Sequence, residues 1–193
     1  MACSIVTAGR NISCQDGIGG IRRVWIGGMA GQDITSYPAT AFVVDPATFE
    51  VDLLKDNTTG TPADLNMYTY ELTREKSMMD VTITGDQGTG TYSFEQKLTL
   101  SFKTLLPADI DRIVTLAKSS PPIIVDNNQK LYLLGAQFGC VLTGGSILTG
   151  TSFNDAGGFS LEFSARQLHP VYLCTYGSSQ STPLDAITGL VEV

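Results

Sequence analysis

Residues 90–103, GTYSFEQKLTLSFK, alternate between apolar and polar side chains along the whole segment. The even positions are apolar except for one glutamine: Tyr92, Phe94, Gln96, Leu98, Leu100 and Phe102. The odd positions carry Ser, Glu, Lys and Thr. A period of two predicts a long β-strand with one buried and one solvated face. Because such a strand needs neighbours for its backbone hydrogen bonds, this segment predicts that the chain folds around a sheet.

Shorter segments of the same kind occur along most of the chain, separated by turn formers. They are IRRVWIGG, ATAFVVD, FEVDLL, MYTYELTRE, MMDVTITGD, PIIVDNNQKLYLLG, QFGCVLTGG, GFSLEFSARQL and HPVYLCTY. The chain has 20 Gly, mostly between the apolar runs, which favours many short strands. Most links have hairpin length, so the sheets should be largely antiparallel. In PIIVDNNQKLYLLG, Asn127 and Asn128 are expected to take positive φ in a tight turn.

Helical spacing occurs once, at about residues 106–119. Pro107 suits a first helical turn, and Asp109 lies early, where the helix dipole favours negative charge. Four apolar residues follow the i, i+3, i+4, i+7 pattern: Ile110, Ile113, Val114 and Ala117. Two prolines end the segment. This pattern predicts one helix that lies against a sheet with its apolar stripe.

The sequence therefore predicts a mainly β fold: an antiparallel β-sandwich or flattened barrel with one flanking α-helix. The length of 193 residues fits one domain spanning 1–193. Four segments are expected outside the sheets. They are an N-terminal arm at 1–20, a long loop at 55–66, a Gly-rich loop at 144–158 and a C-terminal arm at 176–193.

Charge is concentrated in the middle of the chain. The segment from Asp45 to Glu95 holds ten acidic and three basic residues, so it carries a net charge equal to that of the whole protein, −7. With a pI near 4.5, a basic surface that grips nucleic acid is not expected. The acidic middle and the mildly basic start could complement each other between copies. The alternative is that the acidic residues keep an ordinary surface soluble.

No constellation of residues indicates catalysis or a bound cofactor. His169 is the one histidine, and a structural or surface role is expected for it rather than that of a general base. The glycine clusters lack the GxxxxGK[ST] and Rossmann spacings, and no GxSxG is present. DNTTGTPAD lacks the final glutamate of an EF-hand loop. We expect no enzyme activity, no cofactor and no metal site.

The four cysteines have no CxxC spacing, so a zinc or redox site is not expected. They are Cys3, Cys14, Cys140 and Cys174. Free, buried or half-buried thiols are expected in a reducing compartment, although a Cys3–Cys14 disulfide is geometrically conceivable. No signal peptide or membrane span is visible, so the chain is expected to be made in the cytoplasm and not to associate with a membrane.

Eight residues are candidates for contacts between copies. Trp25 follows two arginines on a short strand and could anchor an interface or fill the core. The others are charged residues of the basic start, the long loop and the polar side of the alternating strands. The full set is Arg22, Arg23, Trp25, Asp56, Asp64, Asp86, Glu95 and Lys97.

The order of these segments resembles that of phage tail tube (major tail) proteins, of the type found in phages of Bacteroidetes-like hosts. The resemblance rests on GGIRRVWIGG, then YSFEQKLTLSFKTL leading into PADIDRIVTLAKS, then IIVDNNQKLYLLG and QFGCVLTGGSILTGTSFNDAGGFSLEFSARQLHPVYLC. It covers nearly the whole chain, through pattern and order rather than one diagnostic motif. It implies a subunit of a hexameric ring in the virion, with rings stacked into a tube around a lumen that conducts DNA on ejection.

The resemblance gives the alternating strands a purpose. Half-polar strands of neighbouring copies could join edge to edge around an inner barrel, with a polar face toward a water-filled lumen. An acidic lining would let DNA pass without binding it specifically. The arms and the loop at 55–66 or 144–158 would connect stacked rings and other tail proteins.

Other functions fit the same sequence. A tail terminator, head–tail connector or minor tail protein would form one ring and stop. A β-barrel module that binds a ligand between its sheets would be a monomer with an apolar pocket. An enzyme is the least supported alternative, because no nucleophile–base pair is visible.

Overall fold

A computed structural model describes residues 20–27, 42–44, 50–54, 65–72, 76–86, 88, 90–103, 105–149, 157–177, 183–184, 187 and 190–192. Within these ranges the chain forms twelve strands and one helix. The elements are β1 (Arg23–Gly27), β2 (Phe42–Val44), β3 (Glu50–Leu54), β4 (Leu65–Glu71), β5 (Met78–Asp86), β6 (Thr91–Phe102), α1 (Pro107–Lys118), β7 (Ile123–Asn127), β8 (Lys130–Leu134), β9 (Val141–Leu148), β10 (Gly158–Gln167), β11 (Tyr172–Cys174) and β12 (Leu190–Glu192).

The strands form two sheets. The larger has the order β12-β4-β1-β7-β8-β11-β3-β2, and the smaller has the order β5-β6-β10-β9. Pairing is antiparallel except between β11 and β3 and between β12 and β4, which run parallel. The prediction of a mainly β fold with one flanking helix is confirmed. Of the two predicted architectures, the structure has the open one, since neither sheet closes into a barrel in the described part of the chain.

One hydrophobic core lies between the two sheets. Val24 and Ile26 of β1 face Leu98 and Leu100 of β6 in this core, together with the inward side chains of β10. A second core lies on the opposite face of the large sheet, where Trp25 is buried. Since alternate residues of a strand point to opposite faces, β1 supplies side chains to both cores. The central strands of the large sheet are therefore buried on both faces, which explains the apolar run at Ile123–Val125.

The long alternating strand is β6, and its single polar interruption has a structural cause. Gln96 is buried on the inward face. Its side-chain oxygen accepts a hydrogen bond from the Gly135 N–H at 3.0 Å, and its amide donates to the Pro170 carbonyl. Gln96 thus satisfies two backbone groups of segments that have no strand partner at those positions. The glutamine connects the small sheet to the turns after β8 and after β10.

The predicted helix is confirmed at Pro107–Lys118. The Asp109 carboxylate accepts a hydrogen bond from the Leu106 N–H at 2.9 Å, which occupies one backbone donor at the helix start. Ile113 and Leu116 pack against the core between the sheets. The helix therefore flanks the sandwich with one side only.

Two predicted segments differ from the structure. The prediction of a Gly-rich loop at 144–158 was wrong at both of its ends, because β9 extends to Leu148 and pairs with β10, which begins at Gly158. The loop at 55–66 overlaps β4, which begins at Leu65, and the rest of it lies outside the described residues, as does the arm at 1–19. In the sequence, the consecutive Gly144 and Gly145 favour a loop. In an edge strand, they allow a bulge and a close approach to β10.

The prediction of a C-terminal arm outside the sheets at 176–193 was also wrong, because described residues of this segment pair and pack within their own chain. Leu184 and Ile187 are buried in the second core, and β12 pairs with β4. The second core needs a cover, and this segment supplies apolar side chains to it.

The turn between β7 and β8 differs by one position from the expectation, since positive φ occurs at Asn128 and Gln129 rather than at Asn127.

Cys140 and Cys174 are free and buried, as expected. Burial raises the pKa of each thiol from 9.0 to about 12. The pKa of each thiol is higher in the folded chain than in the unfolded chain. The contribution of each thiol to the free energy of unfolding is therefore complete below pH 9 and is lost as the pH rises toward 12. The other two cysteines lie outside the described residues.

We therefore expect the free energy of unfolding to fall steeply above pH 9. The largest loss is on the order of 4 kcal/mol per thiol, because an unfolded thiol ionises there and a folded one does not. Denaturant titrations at pH 8, 9 and 10 should show a shallower decline in the Cys140→Ala/Cys174→Ala variant than in the unmodified chain. Equal slopes in the two proteins would contradict buried, protonated thiols.

Candidate assembly surface

The small sheet exposes a polar face on the side away from the core. Along β6, Glu95, Lys97 and Thr99 point to this side, and their β10 partners Arg166, Ser164 and Glu162 point the same way. The β5 residues of this face are Met78, Asp80, Thr82, Thr84 and Asp86. The face carries four acidic and two basic side chains: Asp80, Asp86, Glu95, Glu162, Lys97 and Arg166. It is therefore polar and weakly acidic.

Short side chains hold this face together through local hydrogen bonds. Ser146 of β9 and Ser160 of β10 lie with their hydroxyl oxygens 2.9 Å apart. Lys97 Nζ lies 3.5 Å from Glu95 Oε1. These contacts are exposed to water, where each contributes well under about 1 kcal/mol. The face is thus solvated and makes little contribution to the stability of the isolated chain.

The small sheet ends in two edge strands, β5 and β9, within the described part of the chain. Soluble proteins usually protect such edges with proline, lysine or inward-pointing charge. Neither β5 (MMDVTITGD) nor β9 (VLTGGSIL) contains proline or lysine, although β9 carries one bulge. Among the described residues, no further strand pairs with the outer side of β5 or β9.

Both edges carry exposed apolar side chains. Ile83 of β5 has an exposed fraction of 69%, although it points to the same side of the sheet as the buried Leu98. Ile147 of β9 also lies on the core side and is 58% exposed. A side chain that faces the core but remains exposed indicates that the core stops short of the edge. Each edge thus has an apolar surface that nothing in the described chain covers.

The helix adds to the surface at the β9 edge. Ile110 and Val114 are 52% and 48% exposed, and no residue of α1 is fully buried. A groove of about 490 Å³ runs between α1 and β9, lined by apolar side chains and the β9 backbone. The apolar lining includes Ile113, Leu142, Ile147, Phe159 and Leu161. Of the four residues of the predicted helix stripe, only Ile113 packs against the core within one chain.

The structure brings together three of the eight predicted interface residues. Asp86, Glu95 and Lys97 all lie on the polar face. Arg22 is exposed just before β1, in the other sheet. Asp56 and Asp64 lie outside the described residues.

Trp25 and Arg23 belong to the interior of their own chain. Trp25 has no exposed surface, because β1 is a central strand and its odd side faces the second core. The interface alternative for Trp25 was therefore wrong and the core alternative correct. Arg23 lies 3.6 Å from Asp126 Oδ2, and its guanidinium is 5.4 Å from the Trp25 ring centre. Burial raises the pKa of Asp126 despite the opposing effect of Arg23.

The exposed apolar residues of the edges were missed by the sequence analysis. Ile83, Ile110 and Val114 fit their periodic patterns so well that the patterns predict burial, whereas Ile147 was predicted to lie in the Gly-rich loop. Position along the sheet decides their exposure, and periodicity carries no information on which strand is an edge.

The described residues contain no group of three or more His, Cys, Asp and Glu side chains placed to hold a metal ion. No helix in the described ranges is long and apolar enough to cross a membrane.

Comparison with known proteins gives little further information. No protein-family model matches the chain. No curated protein matches it either. Among solved structures, the chain is similar to a chain from the virion of a native gene transfer agent particle, with 11% identity and a TM-score of 0.32. The match covers 51% of this protein and 82% of that chain. At this identity and TM-score the likeness assigns neither a family nor a function.

Proposed function

We propose that this protein is a virion structural protein, a tail tube subunit whose copies form stacked rings around a lumen that conducts DNA. The observation that carries the proposal is the small sheet, which has a polar, solvated face and two unprotected edges with exposed apolar side chains. A sheet of this kind is completed when its two edges pair with neighbouring copies. Pairing of unlike edges is a heterologous contact, which closes into a ring when the rotation fits.

The strand directions support closure of such a ring. Neighbouring strands in the small sheet all run antiparallel, and the sheet has four of them. The two edges, β5 and β9, therefore run in opposite directions. Rotation about a ring axis keeps these directions, so β9 of one copy meets β5 of the next in antiparallel orientation. The result is an all-antiparallel barrel with no open edge.

The barrel would be wide enough for a channel. Six copies would supply roughly 24 strands, and barrels of about 16 to 18 strands already leave an aqueous channel. With strands about 4.8 Å apart and tilted by about 36°, the backbone circle would be roughly 45 Å across. The polar face of the small sheet would line this channel.

The charges of that face suit passage without binding. Four acidic and two basic side chains give it a weakly negative character, and phosphates are repelled by such a surface. Proteins that hold DNA instead cluster Lys and Arg along the contact. DNA would pass through the ring with no specific contact.

A ring of this kind has a structural rather than an enzymatic role. Its partners would be further copies of the same chain, in the ring and in the stack, and other tail proteins at the two ends. Its location would be the virion tail, assembled in the cytoplasm of the host. Cofactors have no part in this function.

Negative-stain microscopy and light scattering over a range of protein concentrations test the proposal. Filaments with a central channel are the expected result. Rings that do not stack would point to a terminator or connector instead. A monomer that persists at about millimolar concentration would contradict assembly and favour a ligand-binding module.

A further inference from the structure

The two edge strands of the small sheet match in length and in the apolar side chains that they expose. β5 has nine residues and β9 has eight. Each strand exposes one isoleucine on the core side, Ile83 and Ile147. Val141, the first residue of β9, lies on the polar face and is exposed. At the start of β5 and at the other end of β9, the large apolar side chains of this face are Met78 and Leu148. These two are exposed by 63% and 62%, among neighbours that are otherwise mostly Ser, Thr and charged residues.

We propose that β9 of one copy pairs with β5 of the next in a single register, with Leu148 opposite Met78 and Ile147 opposite Met79. The inference rests on the proposed ring and names its interface. An antiparallel pairing that starts from Leu148 and Met78 overlaps the two strands along almost their whole length. Allowing for the bulge of β9, it brings Leu142 opposite Ile83 on the core side.

The apolar pair on the polar face selects this register over its neighbours. A slip by one residue would turn the core-side residues of one strand to the lumen. A slip by two would keep the faces but place Leu148 opposite Asp80 or Lys76 instead of Met78. Directly opposite side chains in an antiparallel pair lie close enough to interact. The other apolar pairing on this face, Val141 opposite Met78, would overlap the two strands at a single position. Only the register with Leu148 opposite Met78 therefore joins two apolar residues of the polar face along paired strands.

The same register gives an ordinary barrel geometry. Within one chain, a row of directly paired residues crosses the small sheet from Met79 of β5 through Leu98 and Phe163 to Leu142 of β9. The row through Phe159 reaches β9 at Ile147. Phe159 and Phe163 are separated by four positions. Placing Met79 of the next copy opposite Ile147 therefore shifts the sheet by four residues over four strands.

The same shift of one residue per strand occurs in an eight-stranded barrel whose shear number is eight. Its strands tilt by about 36° from the barrel axis. Closed barrels generally have tilts of about 35–45°. The agreement is independent of the number of copies, since each copy adds four strands and four residues of shear. Side-chain matching and barrel closure thus lead to one register.

Helix α1 would cover β5 of the next copy. Burial raises the pKa of Tyr70 in the large sheet, and Arg112 and Asp109 of α1 are near enough to act on it electrostatically, while Ile113 lines the groove beside β9. At 3.6 residues per turn, Ile110 and Val114 follow on the flank beyond Ile113, away from the large sheet. We infer from this geometry that the flank lies toward the β9 edge. The core-side residues of the incoming β5, Val81 and Ile83, would lie beneath it and extend the core between the sheets.

Disulfide trapping tests the register. The variant carries Met78→Cys and Leu148→Cys in a Cys3→Ser/Cys14→Ser background, and the control carries Asp80→Cys and Leu148→Cys. A link within one chain is excluded, because β5 and β9 are opposite edges and cysteine Cα atoms must come within about 7 Å. Mild oxidation should give the Met78/Leu148 variant a ladder of covalent oligomers, about tenfold stronger than in the slipped control.

The outcomes separate the register from the function. Rings or tubes that cross-link better through the Asp80/Leu148 pair, or through neither pair, would overturn the register and leave the tube proposal intact. A protein that stays monomeric before oxidation at every concentration would overturn both. If the double cysteine variant fails to fold by circular dichroism, Ile110→Glu provides a second test. It should prevent ring formation, and rings formed by Ile110→Glu would contradict the covering role of α1.

Discussion

Ile83→Lys on β5 is expected to produce a folded monomer that no longer forms rings. Ile83 is mostly exposed in the single chain, so a lysine there meets water and leaves the fold intact. In the proposed ring the same position is covered by α1 and β9 of the preceding copy. Burying an unpaired ammonium there costs several kcal/mol, which corresponds to an assembly at least about 100-fold weaker. Sedimentation velocity and negative-stain microscopy measure this loss directly.

Thr84→Lys is the matched control for Ile83→Lys. Thr84 is the next residue of the same strand, is exposed, and lies on the polar face. Its side chain would point into the lumen, where lysine remains hydrated. We expect Thr84→Lys to assemble within severalfold of the unmodified protein. Equal assembly of the two lysine variants would show that the core side of β5 is not at an interface.

Gly139→Ala is expected to destabilise the chain by about 3 to 5 kcal/mol, whereas Gly90→Ala should cost only about 1 to 2 kcal/mol. The two glycines share a left-handed backbone, with φ of +70° and +66°. An alanine side chain pays the same conformational penalty at both positions. At Gly139 its Cβ would also collide with the Ser120 carbonyl, while at Gly90 it would meet nothing within 4 Å.

Urea denaturation of the two alanine variants compares them in one experiment. The Ser120 carbonyl belongs to the backbone that links α1 to β7, so the collision cannot be relieved by a side-chain rotation. If Gly139→Ala were no worse than Gly90→Ala, the turn after β8 would not pack against the segment after α1. Both variants should bind no differently to other copies at equal folded concentration, because neither residue lies on β5 or β9.

Local patterns predicted the elements of this fold well. The alternation in 90–103 predicts β6, and the spacing of apolar residues predicts α1, because a strand and a helix each repeat over a few residues. The same patterns could not show that Gln96 was buried. Its partners, Gly135 and Pro170, are distant in sequence, and only the fold brings their backbone groups to the glutamine.

The assembly surface was predicted in part. The polar side of β6 and β5 was evident from alternation, and Asp86, Glu95 and Lys97 do lie on it. Trp25 shows the limit of residue type as a guide, because tryptophan is enriched both at interfaces and in cores. The position of β1 in the middle of the large sheet placed it in the core.

By itself, the sequence determined most of the strands, where the helix begins and ends, and which side of the alternating strands is apolar, but it did not reveal β12 or the second half of β9. These properties depend on neighbours a few residues away along the chain. Only the tertiary structure decided that β5 and β9 are edges, that Ile83 and Ile147 face the core side yet stay exposed, and that α1 leaves most of its stripe exposed. The reason is physical: whether an apolar side chain is covered depends on which strand lies beside it, and strand order is set by contacts between residues far apart in sequence.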